Sequence, residues 1–422
     1  MLNIQKYISC FETIEEANTY LSSNFKIDCK EDTVLSEADR TWYSVYVYSP
    51  RMHADLTDPI VQEANCLILD EDGSLVAKAA NIAHEVASPE GLPQSFILEN
   101  ARVLERGEGI PIVIFNVEGE WFVGSRFSAD AREKPLNPTG SLSYGFRVKD
   151  YLEFKKGSEW DTRFMNVDPR LCFSFLYVPL GSEGRVIPSK HEELMLLDVI
   201  NLENGEELPQ YRVDSMANNL SFMRPHYRSI NGTNSLRHIL KTMPWFRVGI
   251  TLIDRNGLRV EIENPLYRVL KNAQAAGGRI EPIHVVKIFQ ACRDETDALQ
   301  ILQMFPKYHD IMKIAQETVD ELWGELFTLW NSAKIIAKNK KSFAKFVDHH
   351  YLKHLLFMYR EGKITSMRQG VLDLPPYKIV INMQRKHDKD LSIARRCLKI
   401  DNGGGDVRIE KDRSQTLSSE GL

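Results

Sequence analysis

Three stretches of this chain hold residues whose types and spacing could do chemistry. The first is Leu258-Arg259-Val260-Glu261-Ile262-Glu263, in which charged residues occupy alternate positions. In a strand, rising roughly 3.4 Å per residue, Glu261 and Glu263 share one face about 7 Å apart. Such a face is either solvated or paired with cations, and Arg259 and Arg126 are the candidate partners. The second is Arg106-Gly107-Glu108-Gly109, a two-glycine turn with one charge of each sign. The third is the run Lys334, Lys338, Lys340, Lys341 and Lys345, placed by periodicity on a helix close to Phe343, Phe346 and Tyr351. It could follow a phosphate backbone, with aromatic rings at hand for stacking, or be a solvated helix face. Beside it, His350 and His354 lie four apart next to His349 and Asp348, a spacing able to chelate a metal from one helix face. No second ligand cluster accompanies them, and no metal is expected.

Recognisable elements must position these residues. Ile250 to Ile253 and Leu258 to Ile262 alternate apolar and polar around Asn256-Gly257, the pattern of a hairpin. A second hairpin turns at Asp72-Gly73 between Cys66 to Leu69 and Leu75 to Ala79. Ala101 to Glu105, Ile110 to Asn116 and Trp121 to Ser128 read as three strands joined by turns, and Trp42 to Tyr48 and Leu171 to Val178 as single strands. Val186-Ile187 is expected to pair with Glu193 to Val199. Thr13, with Glu16 three residues on, has the capping-box spacing of a helix start, and a charged helical stretch follows Tyr151, Leu152 and Phe154. After a Gly277-Gly278 joint, apolar residues from Ile283 to Lys363 recur at three and four, which predicts four or five helices. The expected domains are 1–278, 279–400 and a disordered Gly/Ser-rich tail at 401–422.

In order and spacing these units resemble the phage RNA ligase 1 family over roughly residues 60 to 365, and Phe246 to Lys271 aligns without a gap. The resemblance implies an α+β fold, with a nucleotidyltransferase domain of antiparallel, ATP-grasp-like sheets followed by an all-helical domain. It also implies RNA end joining through a lysyl-AMP, with ATP and Mg²⁺ as cofactors. At the matching positions, however, the chemistry is replaced. Arg106-Gly107-Glu108-Gly109 stands where the family has Lys-x-Asp-Gly. That lysine attacks as a neutral amine, whereas a guanidinium stays protonated in a protein. Arg106 therefore cannot take its role. Glu63-Ala64-Asn65-Cys66 stands for Glu-x-Arg-Gly, whose arginine contacts the ATP phosphates, and His84-Glu85-Val86-Ala87 for Lys-Phe-Phe-Asn. Ser174 in Phe173-Ser174-Phe175 replaces a carboxylate, Val248-Gly249 replaces Glu-Gly, and Glu261-Ile262-Glu263 replaces Lys-x-Lys. The last exchange turns two positive charges into two negative ones beside the implied triphosphate, so ATP in the family's pose should be repelled. Arg185-Val186-Ile187 and Glu203-Asn204-Gly205-Glu206 match their family segments.

The expectation is an RNA-ligase-like protein without catalysis or bound cofactor, acting as a module that binds RNA or a protein partner. One alternative is an active ATP-dependent RNA ligase whose nucleophile is Lys78 or Lys149. Another is a structural subunit with no nucleic-acid role. Net charge is −5 over 422 residues, so attraction for nucleic acid must come from a local patch. Six single cysteines without a C-x-x-C pair, and no apolar run of about 18 residues, predict a reduced, cytoplasmic protein off the membrane. The isolated cysteines should be small buried hydrophobes, and Trp245, Trp323 and Trp330 core or interface residues.

Overall fold

Alternation of side chains, two residues per repeat, sorts the first part of the chain into three sheets. They are seen in a computed structural model that describes residues 1–36, 40–51, 53–131, 148, 164–181, 186–275 and 281–386. The chain divides into two units, Met1–Gln274 and Ala275–Leu422.

In the first unit, strands β1 (Ile27–Leu35), β2 (Trp42–Pro50), β3 (Leu67–Asp70) and β4 (Leu75–Ala77) form a four-stranded sheet in that order. Helices α1 (Asn3–Ile8), α2 (Ile14–Phe25) and α3 (Pro59–Glu63) pack on one face, through Ile4, Leu21 and Val61 against Tyr48, Leu67 and Leu69. The Thr13 hydroxyl accepts from the Glu16 amide at 3.3 Å, so the expected cap is present at the start of α2.

A second sheet has β7 (Ile110–Val117), β8 (Glu120–Ser125), β9 (Leu171–Val178), β10 (Glu193–Asn201) and β11 (Glu206–Glu207) in the order β11-β10-β9-β7-β8. A third has β5 (His84–Val86), β6 (Glu99–Arg106), β12 (Tyr227–Asn231), β13 (Gly249–Ile253) and β14 (Arg259–Glu263) in the order β12-β6-β13-β14-β5. All pairings are antiparallel except β14 with β5. Val113, Phe115 and Phe122 of the second sheet pack on Val45, Val47 and Ile68 of the first. Its opposite face, with Phe173, Phe175 and Tyr177, packs on α4 (Gln210–Asn219) through Val213 and Ala217. The third sheet buries Val103, Ile250, Leu252, Val260 and Ile262 against α5 (Thr233–Thr242). Helix α6 (Pro265–Ala275) follows β14.

Two details differ from the sequence-based expectation. Val186-Ile187 is not a strand partner of β10, which pairs with β9 and β11 instead; the Val186 amide donates to the Glu108 carboxylate, 3.0 Å from each oxygen. Strands β6 and β7, expected as consecutive strands joined by a turn, belong to different sheets. The Arg106–Gly109 segment carries the chain from the third sheet to the second.

The second unit is helical: α7 (Pro282–Ala291), α8 (Glu295–Met304), α9 (His309–Ala333), α10 (Lys340–Val347), α11 (Lys353–Arg360), α12 (Met367–Leu372) and a helical stretch at 376–386. The long α9 is its axis, burying Ala315, Val319, Leu322 and Leu326 against residues such as Phe343, Leu356 and Val371. The fold is thus α+β, antiparallel sheets followed by helices. The Gly277-Gly278 joint, the helix expected after Tyr151, Lys149, Cys397 and the 401–422 tail lie outside the described residues.

Candidate functional site

Strand alternation decides which side chains meet in the first unit. In β9, Phe173, Phe175 and Tyr177 enter one core, so Ser174 and Leu176 face the other way. In β14, Val260 and Ile262 enter the third-sheet core, which turns Arg259, Glu261 and Glu263 outward from it, and in β6 the same rule turns out Arg102, Leu104 and Arg106. These outward faces, with segments at 50–56 and 79–83, enclose a cavity of about 670 Å³. Asn65, Arg106, Ser174 and Glu261, dispersed over nearly two hundred residues of chain, all line it.

The glycines of the crossing segment are there for space. A Cβ on Gly107 would lie 2.5 Å from Leu176 Cδ2, and one on Gly109 2.5 Å from the Tyr177 carbonyl oxygen. The segment therefore lies flat on β9, and its side chain at 106 stands at the cavity edge.

Arg106 is held by acids. Its Nη2 is 3.0 Å from Glu261 Oε2 and 3.4 Å from Glu85 Oε1, and Glu85 and Glu261 are direct register partners in the parallel β5–β14 pair. Thr251, opposite Glu261 on β13, donates its hydroxyl to Glu261 Oε1 at 3.3 Å. Burial pushes the Glu261 carboxyl up from its ordinary value, and Arg106 pulls it partly back. Glu263, on the same strand face, is not among the lining residues. It pairs with Arg268 at 2.8 Å and Lys271 at 3.8 Å on α6. The two acids thus take partners other than Arg259 and Arg126.

Arg259 lines the cavity but is buried in ion pairs. Its Nη2 lies 2.6 Å from both Asp198 Oδ1 and Glu207 Oε2, and the guanidinium is only 9% exposed. Asp198 also accepts from Gln210 Nε2 at 2.7 Å. Gln210 in turn accepts from Arg224, and Asp214 takes both Arg224 and Arg102. This chain of ion pairs ties the second sheet, α4 and the third sheet together. Asp198 stands directly across from Ser174 in the β9–β10 register. The acid missing at 174 has a neighbour on the next strand, but that neighbour is already spent on Arg259 and Gln210.

The lining is not the purely acidic one that the motif exchanges suggest. Arg51, Arg106, Arg126 and Arg259 face Glu105, Asp198 and Glu261, four cations against three anions. Arg51 and Arg126 come from outside every motif position, so comparison of motifs alone passes over them. Arg51 pairs with Asp28; Arg126 donates to the Pro50 carbonyl at 3.3 Å, and its buried Nε has no hydrogen-bond partner among the described residues.

No lysine is among the described residues lining the cavity. Lys78 lies behind the wall, 2% exposed, its Nζ donating to the Ala79 carbonyl at 3.1 Å and to Asn81 Oδ1 at 2.7 Å. Burial pushes its amine down from the ordinary value. Asn65 donates to the Ala80 carbonyl at 2.8 Å. Glu108 and Val248 line an adjoining groove with Arg106 and Gly107, and the Val248 carbonyl accepts from the Asn264 amide at 2.8 Å. A triphosphate with Mg²⁺ does not fit these residues as a reacting group. Among the described residues lining the cavity there is no amine to attack, position 174 offers a hydroxyl, and Glu105, Asp198 and Glu261 are each paired with an arginine.

In the second unit, Lys334, Lys338, Lys340, Lys341 and Lys345 are all exposed, but they do not share one helix. Lys334 caps the end of α9, Lys338 lies in the turn that follows, and the rest lie on α10. Asn339 makes the break, because its Oδ1 accepts the Lys341 and Ser342 amides at 3.1 Å and so starts a new helix. Phe343 is fully buried among Trp330 and Phe357 and offers no stacking face. His350 Nδ1 accepts from the Leu352 amide, and its Nε2 is 3.9 Å from Glu325. Among the described residues no three metal-ligating side chains converge, and no helix is long and apolar enough to cross a membrane.

No protein-family model matches the sequence, and no curated protein matches it as a relative. Solved structures similar to it include an archaeal ATP-dependent RNA ligase, at 8% identity and TM-score 0.47, covering 75% of this chain and 83% of that one. A putative ATP-dependent DNA ligase from Aquifex aeolicus is similar at 12% identity and TM-score 0.44, over 73% of this chain and 80% of the other. An RNA ligase of Naegleria gruberi matches at 14% identity and TM-score 0.30, over 42% and 53%.

Proposed function

We propose that this chain is an RNA-ligase-like protein that has given up adenylation and binds RNA through the lysines of its helical unit. One observation carries the first half. Four of the positions that resemble ligase motifs, Asn65, Arg106, Ser174 and Glu261, line one cavity, and at its edge the residue in the nucleophile's place is a guanidinium clamped by Glu261 and Glu85. An arginine so placed is a structural tie, since it never presents a neutral nitrogen. Of the two substitute lysines, Lys78 lies among the described residues; burial pushes its amine down, but it is sealed behind Asn81 and Ala79. Support for the second half is the exposure of Lys334, Lys338, Lys341 and Lys345, for which no described carboxylate lies within ion-pair distance, whereas Lys340 pairs with Glu361.

Labelled ATP with Mg²⁺, followed by denaturing electrophoresis, tests the first half: no label should stay on the polypeptide. A gel shift with RNA tests the second. Binding should weaken with salt and fall with Lys338→Glu combined with Lys341→Glu, as phosphate contacts require. A covalent AMP adduct, or no RNA binding at low salt, overturns the corresponding half.

A further inference from the structure

We infer that one face of α9 is a stacking platform for single-stranded RNA, leading into the lysine cluster. The inference rests on the RNA-binding half of the proposed function and specifies the form of the ligand.

Trp323 and Phe327 are 38% and 50% exposed, unlike the other large apolar residues of that half of α9, and neither belongs to the core of the helical unit. Their ring centroids are 6.1 Å apart with a 41° interplanar angle, so the two rings form one continuous aromatic surface. At 100° per residue Phe327 lies about 40° around the helix from Trp323, and Lys334 about 20°. All three therefore share a face. With roughly 1.5 Å rise per residue, Lys334 is about 10 Å beyond Phe327, the length of about three nucleotides of strand.

Charge selects the occupant. Trp323 and Phe327 lead toward Lys334 and then Lys338 and Lys341, a cationic end without paired carboxylates among the described residues. The acids of the same helix are turned to partners: Asp320 to Arg368 at 3.2 Å, and Glu317 and Glu321 to Lys386 at 3.3 and 2.7 Å. Glu325 lies on the opposite side of the helix and faces His350. Flat apolar rings followed by unneutralised ammonium groups match unpaired bases followed by phosphates. In a duplex the bases are already stacked and unavailable to the rings.

The test is fluorescence anisotropy of the full chain with an end-labelled 12-nucleotide single-stranded RNA and with the same strand in a duplex. Trp323→Ala with Phe327→Ala should weaken single-strand binding at least about tenfold with an unchanged salt slope, the scale that base stacking supplies. Trp323→Tyr with Phe327→Tyr should retain most of the affinity, showing that loss in the alanine variant is not misfolding. Lys334→Glu should lower the salt slope instead. Wild-type RNA binding that the alanine variant leaves within twofold, or duplex bound as tightly as single strand, overturns the platform and leaves the RNA-binding half standing. No RNA binding by the wild type overturns both.

Discussion

Arg106 and Glu261 meet at 3.0 Å although their strands are not neighbours: β13 lies between β6 and β14. The guanidinium spans β13 and reaches both Glu261 and Glu85. A lysine, with a single point charge, would sit between the same acids and stay protonated, because opposite charges at this distance favour the charged form.

Arg106→Lys alone should therefore not create a lysyl-AMP. Intact mass spectrometry after incubation with ATP and Mg²⁺ should show the unmodified mass. An added AMP from this one change would mean that the rest of the pocket is still competent.

Arg259 is the buried cation between Asp198 and Glu207. Arg259→Met leaves Asp198 enclosed without its counter-charge, which should cost about 3–5 kcal/mol by urea unfolding. Adding Asp198→Asn and Glu207→Gln should recover part of that loss. A cost below about 1 kcal/mol for the single change would show that the tie between the sheets is dispensable.

Two glycines should respond with opposite signs to alanine. Gly109→Ala places a methyl 2.5 Å from the Tyr177 carbonyl oxygen and should destabilise by about 1–3 kcal/mol. Gly324→Ala, in mid-α9 with nothing within 4 Å, should stabilise by roughly 0.5–1 kcal/mol. Thermal unfolding of both variants reads this directly.

Asp297 is buried and accepts from Arg293 Nε at 2.8 Å and Nη2 at 3.0 Å, which holds its carboxyl below the ordinary 3.8. A depressed folded-state pKa contributes stability above the unfolded value that is lost as pH falls through the folded one. Asp297→Asn should thus destabilise at pH 7, and the difference from wild type should shrink below about pH 3.8. A pH-independent difference in chemical denaturation would rule out the ion pair as its source.

Cys66 and Cys172 are fully buried, and burial pushes both thiols up to about 12, whereas Cys10 is exposed. Native alkylation at pH 8 followed by peptide mapping should label Cys10 and spare the other two. Labelling of Cys66 or Cys172 at a comparable rate would show that their core opens readily.

Local pattern alone determined much of this chain. The alternation around Asn256-Gly257, the Asp72-Gly73 turn, the Thr13 cap and the three-four spacing after Ile283 each depend on neighbours within a few residues, and each element forms where the pattern puts it. The same alternation was enough to place Glu261 and Glu263 on one strand face. What each acid does was decided in three dimensions: Glu261 closes on Arg106 from two strands away and Glu263 on Arg268 of the next helix, while Arg259 turns to Asp198, contributed by another sheet. Likewise the Lys334–Lys345 run reads as one helix until Asn339 caps a new one, and the burial of Phe343 and exposure of Trp323 follow from packing on α9. Charge pairing and burial depend on which strands and helices become neighbours, and the residues that set this lie tens to hundreds of positions apart.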